Sequence, residues 1–355
     1  MFGFLFKVKF LSEFDGDREN NFTVVRFLLA LLVLIGHSFP ISGNGSDPVT
    51  MLIRPHAWIG SIAVGGFFAV SGFLVSASIA NRSALDFAIS RVLRLYPAVI
   101  AYSLVAILII GPIASGVPLA QYFQQNPWVN MWNATLWEWN YNLPYGFPGR
   151  PFEGATNGST WTLPAELRCY VAVFCLGVIG VFSQRPMANV ILLSILYLTK
   201  SHYALLPLFG SAENFKEPLL FFVVGALFWT NRALIPLNWC VCALMLGATY
   251  YFAGTQYYFY AYIPTVAYVL FMLAYMLPHF DMDRFGDISY GVYIYAWPMQ
   301  QLVWVKGQSG YVNALLAMLL VLPIAYLSWR FVESPALKLR KSLGTGGALW
   351  RKALN

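Results

Sequence analysis

The stretch FTVVRFLLALLVLIGHSFPI, residues 22–41, decides the fold class. It holds 20 residues, about the number an α-helix needs to cross a bilayer core of about 30 Å. Only Arg26 and His37 within it are ionisable. They are 11 residues apart, a helical advance of about 1100°, so the side chains lie about 20° apart on one face with about 16 Å of rise between them. Ionisable groups inside a span are costly and usually face a partner, a cavity or a pathway. The plainer reading is a snorkelling Arg and a His bonded to a neighbouring helix. The sharper one is a groove with a cation at one end and an imidazole near the other.

The rest of the chain agrees with a bilayer as solvent. It is 355 residues long, 59% hydrophobic and 17% aromatic, with 10% charged residues and a mean hydropathy of +0.61. A soluble domain carries about 25% charged residues. That difference excludes an ordinary cytosolic enzyme, a disordered chain and a nucleic-acid-binding module. Apolar runs near 22–41, 57–80, 95–112, 162–183, 188–205, 217–231, 235–253, 257–278, 287–305 and 311–332 predict an all-α polytopic membrane protein of about ten transmembrane helices. With both termini cytoplasmic, 15 of the 22 Lys and Arg fall inside and 5 outside, Arg26 and Arg168 being within spans. Positive charge collects in cytoplasmic loops, so the net charge of +7 reads first as topology. Residues 1–340 are expected to form one integral-membrane domain and 341–355 a basic cytoplasmic tail. Met1–Leu11 reads as an interfacial lead-in, because it lacks a small-residue cleavage site. Cys169, Cys175, Cys240 and Cys242 make no CxxC pair and read as small core residues, with no metal expected.

Further motifs follow the first span. Small residues at 65, 69, 72 and 76 make a stripe that lets another backbone approach, and Ser71 is the hydroxyl at its centre. Ser83 and Asp86 mark a helix start. Arg91 and Arg94 then share a helix face ahead of Pro97. Two Arg at a membrane boundary suit a phosphate-bearing ligand, or anchor on lipid headgroups. The stretch Ser115–Thr160, expected outside, is rich in Trp and Asn. It reads either as an interfacial aromatic belt or as a surface where Trp faces stack on sugars. In Trp161-Thr-Leu-Pro-Ala-Glu166, the carboxylate lies at about the depth of His37 and could hold an imidazole tautomer. Arg330 and Glu333 are spaced to pair at i, i+3.

These motifs, in this order, resemble the membrane-bound acyltransferase family 3. Arg26 with His37, Phe67–Phe73, Arg91–Pro97, Trp161–Glu166, Ile288–Tyr295 and Glu333–Pro335 match its pattern in turn. One departure is Ala296, where many members carry a His before Trp-Pro. That leaves His37 as the one intramembrane imidazole supported both by position and by the resemblance. The resemblance implies transfer of an acetyl or other short acyl group from acetyl-CoA to a hydroxyl of a cell-surface or lipid-linked glycan, at a bacterial inner membrane. In that reading His37 is general base or nucleophile and Glu166 its partner, while Arg26, Arg91, Arg94 and Ser71 hold the donor. A transporter or flippase with an Arg/His/Glu-lined pathway is the alternative. Broken spans in matching halves would favour it, and the sequence has none.

Overall fold

The computed structural model describes residues 8–17, 19–53, 57–209 and 212–340. The expected tail (341–355), the first residues of the lead-in (1–7), Arg18, Arg54 and His56 lie outside the described residues. Every predicted apolar run forms a helix. These are α1 (Phe22–Ile41), α2 (Ile59–Ala80), α3 (Ala84–Val105), α4 (Thr162–Val178) and α5 (Arg185–Ser201). There follow α6 (Lys216–Thr230), α7 (Trp239–Tyr251), α8 (Tyr258–Tyr275), α9 (Ser289–Leu302) and α10 (Gly310–Ser328). Helix α3 continues through a π turn, Ala106–Ile110, to Ser115, and α10 through another, Trp329–Glu333, to Arg340. Among the described residues, α1, α2, α8 and these two extended helices are long and apolar enough to cross a membrane, which makes 5.

The chain divides into two compact units. Residues 1–29, 49–82 and 168–284 form the first. Its densest seam is α2 against α6, and the small-residue stripe is the reason. A Cβ on Gly72 would strike the Phe222 carbonyl, and a Cβ on Gly225 the Ala69 carbonyl, so the two backbones cross at reciprocal glycine notches. Van der Waals contact between close backbones is what associates helices when lipid is as apolar as their side chains. Lys9–Phe10 pairs antiparallel with Pro236–Leu237, and Asp15 accepts from Arg232 at 2.7 Å nearby.

Residues 30–48, 83–167 and 285–340 form the second unit. Its axis is α9, in which 13 consecutive residues, Ser289–Gln301, are buried. A helix enclosed on every face must satisfy its polar side chains internally, and this one carries Tyr290, Tyr293, Tyr295, Gln300 and Gln301. Gly291 admits α10, since a Cβ there would meet the Ala325 backbone at 2.8 Å. Ser83 accepts from the Asp86 amide at 3.1 Å, as the start signal predicts. The Asp86 carboxylate meanwhile takes two N–H groups of Arg340 at 2.9 and 3.1 Å, tying the end of extended α10 to the start of α3.

Two local expectations need correction. Cys169 and Cys242 are buried, but Cys175 and Cys240 are exposed on their helices. The expected Arg330–Glu333 pairing gives way because the turn there is π-helical, and its extra residue per turn spoils the i, i+3 alignment. Arg330 is exposed, while Glu333 turns inward, 2% exposed, and accepts from Ser328 Oγ at 3.1 Å.

Candidate active site

The residues singled out by sequence fall into two sets. His37, Glu166, Arg91 and Arg94 belong to the second unit, whereas Arg26 and Ser71 belong to the first. Arg26 and His37 lie on one unbroken helix, α1, each half-buried. Ser71 is half-buried on α2, beside the Gly72 notch.

His37 is held from two sides. Its Nδ1 lies 2.9 Å from the Val33 carbonyl, one turn earlier. A carbonyl oxygen only accepts, so Nδ1 carries the proton, and the neutral ring has its lone pair on Nε2. The Trp297 ring meets the imidazole edge-on, with centroids 5.0 Å apart and planes at 71°. Trp297 is fixed in turn by its Nε1–H, which donates to the Ala155 carbonyl at 2.9 Å. One turn further along α9, fully buried Gln300 donates to the Leu34 carbonyl at 2.7 Å and to Ser38 Oγ at 2.6 Å. Asn313 of α10 then donates to the Gln300 carbonyl at 3.0 Å. The turn of α1 that carries His37 is thereby tied to α9 and α10.

Glu166 is positioned by the first turn of α4. The Tyr293 hydroxyl donates to the Ser159 carbonyl and pairs with Thr162 Oγ1, each at 2.6 Å. Glu166 follows Thr162 by one turn on α4. Tyr293 and Trp297 are one turn apart on one face of α9, about 6 Å in rise. Trp297, against His37, and Tyr293, against the Ser159–Thr162 turn that opens α4, thus share one face of α9.

The cationic end lies toward the start of α9. Arg94 donates to Asp287 at 2.7 Å, with side chains 20% and 11% exposed. Ser289 donates to the other Asp287 oxygen, and the buried Glu333 carboxylate also feels the Arg94 charge. Arg91 lies over the Phe87 ring at 5.7 Å and donates to Ser90 Oγ at 3.3 Å. The two Arg are thus not a bare cationic clamp, because Arg94 is balanced by Asp287. From Asp287 to Trp297 the chain rises about 15 Å along α9. Among the described residues, no group of three or more His, Cys, Asp or Glu could hold a metal ion.

Trp297, Gln300 and Tyr293 were not assigned roles by sequence reasoning, yet they seat the imidazole and the loop before α4. The available signal was the Gln300-Gln301 pair, two amides near the end of an otherwise apolar and aromatic run.

The fold is that of an all-α integral membrane protein with ionisable groups on its apolar helices. Residues 19–330 match the family described as "Acyltransferase domain", and the chain belongs to that acyltransferase 3 family. It is similar to an O-acetyl transferase of Shigella phage Sf6, at 29% identity over 339 residues covering 89% of this chain and 95% of that protein. It is also similar to nodulation protein 10 of Rhizobium leguminosarum bv. viciae, at 27% identity over 370 residues covering 94% and 97%. No solved structure matches it.

Proposed function

We propose that this membrane acyltransferase moves an acetyl or other short acyl group from cytoplasmic acyl-CoA to a hydroxyl of a cell-surface or lipid-linked glycan. His37 acts as general base and Glu166 stabilises its protonated form. The observation that carries this reading is the His37 Nδ1 contact to the Val33 carbonyl. It leaves Nε2 as the basic nitrogen, the requirement for taking a proton from an acceptor hydroxyl. The hydroxyl proton passes to Nε2 as its oxygen bonds to the thioester carbonyl carbon. The carbon–sulfur bond breaks, and the coenzyme A thiolate leaves and is protonated.

Arg26, Arg91, Arg94 and Ser71 are assigned to the donor. The donor set is suited to phosphates in charge type, with one qualification: an arriving phosphate would compete with Asp287 for Arg94. An extended donor arm would have to span about 15 Å from that pair to reach the imidazole beside Trp297. The acetyl group is favoured by the likeness to an O-acetyl transferase. The remaining topology belongs to the same proposal: about ten spans, both termini in the cytoplasm of a bacterial inner membrane, one domain over 1–340 and a tail over 341–355.

Mass spectrometry of surface glycans from cells with and without the protein tests the acceptor. A mass increment of one acetyl group per repeat, present only with the protein, is expected. Identical glycans in both would remove the glycan reading. Feeding purified protein labelled acetyl-CoA alongside Arg91→Ala tests the donor: the KM for acetyl-CoA should rise about tenfold, the size of one charge-assisted contact.

A further inference from the structure

A second feature of the same unit lies between α3 and the stretch Ser115–Thr160. There a narrow slot, open on one side, ends on Tyr102 and Ser103. Its floor admits about one water-sized group, the volume of a single hydroxyl. Ser103 is 2% exposed, and its Oγ has no hydrogen-bond partner among the described residues. Buried hydroxyls without a partner are rare and costly, so this one points to a group that arrives from outside. Beside it, the Tyr102 hydroxyl accepts from Asn157 Nδ2 at 2.9 Å, which leaves its own proton available to donate. Trp139 and Tyr141 stand at the rim.

The asparagines around the slot are occupied in holding its shape. Asn133 accepts from the Asn140 amide at 2.7 Å and donates to its carbonyl at 3.0 Å, and Asn130 donates to the Asn142 carbonyl at 2.9 Å. The frame is therefore rigid, the floor polar and the rim aromatic. The wall that includes Thr156 and Asn157 continues directly from Ala155, whose carbonyl receives the Trp297 Nε1–H behind His37. One short segment thus borders the slot and supports the tryptophan that seats the imidazole.

We propose that this slot is an acceptor subsite. One hydroxyl of a pyranose enters it, exchanging hydrogen bonds with Ser103 Oγ and Tyr102, while the sugar ring lies against Trp139 and Tyr141. This rests on the carbohydrate-acceptor reading above and adds where the sugar is recognised. It also assigns Ser103 as a specificity-determining residue. A sugar edge is recognised this way because a buried hydroxyl floor rejects an analogue that leaves it unpaired.

The test uses the full-length protein in nanodiscs, labelled acetyl-CoA, and the methyl pyranosides of glucose, galactose, mannose and rhamnose as acceptors. Ser103→Val fills the slot with a methyl group and removes the hydroxyl. The expected result is a sugar KM raised tenfold or more with the KM for acetyl-CoA unchanged within twofold. Against the best glycoside, one monodeoxy analogue should be a tenfold poorer acceptor for wild type and show no such deficit in Ser103→Ala. If Ser103→Val does not fold, Trp139→Leu at the rim replaces it, with the same expected rise in sugar KM. Unchanged sugar KM in Ser103→Ala and in whichever of these folds overturns the subsite and makes the slot a water site. Turnover of acetyl-CoA by wild type without transfer to any glycoside overturns the carbohydrate reading instead, and the subsite with it.

Discussion

At His37, the backbone of its own helix decides which ring nitrogen is basic. The Val33 carbonyl accepts a hydrogen bond from Nδ1–H, and Trp297 confines the ring, so tautomer and orientation are both set before any substrate binds. Gln300 extends the same control by clamping the Leu34 carbonyl and Ser38. Gln300→Leu keeps the volume but removes both donors. It should cost about 1–3 kcal/mol of stability, the loss of two buried hydrogen bonds, and lower kcat with little change in the KM for acetyl-CoA. Thermal unfolding in detergent and steady-state kinetics read the two effects separately. The positions of Arg26 and His37 on one helical face were legible from spacing alone. The seat of the imidazole was not, because Trp297 and Gln300 come from α9, more than 250 residues away in sequence, and no local pattern records which carbonyl an amide will find.

Elements here are joined by backbone proximity and by irregular turns. The crossing of α2 and α6 depends on Gly72 and Gly225, each of which sits on the partner's carbonyl. Gly72→Leu should abolish folded protein, seen as loss of a monodisperse peak in detergent. Gly247→Ala on α7 meets nothing within 4 Å and should leave the melting temperature unchanged or raised, by up to about 1 kcal/mol of stability. The small-residue stripe announced this crossing in the sequence, though not which helix would fill it. The π turn Trp329–Glu333 was invisible, because an extra residue in a turn leaves the apolar run intact while rotating all that follows. It separates two residues whose spacing suggested a pair. Glu333→Ala should therefore destabilise strongly, whereas Arg330→Ala should change the melting temperature negligibly. Equal effects of the two would restore the pairing read from spacing.

At the scale of the whole molecule, composition and apolar runs were sufficient for the fold class, since each run became a helix and a family match spans residues 19–330. The grouping of helices into two units was not legible, because α1 and α4 each contribute residues to both and no break in composition marks the division. The proposed topology rests on the Lys and Arg count and is checkable directly. Alkaline phosphatase fused within 119–125 should be active and a fluorescent protein fused after residue 340 bright, as expected for an outside loop and a cytoplasmic terminus; the opposite pattern would invert the orientation. The role of His37 in the chemistry is read by acetyl incorporation from labelled acetyl-CoA in membranes carrying His37→Ala at wild-type abundance. A general base is worth about 10²–10⁴ in rate, so His37→Ala should lose at least about a hundredfold. Incorporation at the wild-type rate would contradict it.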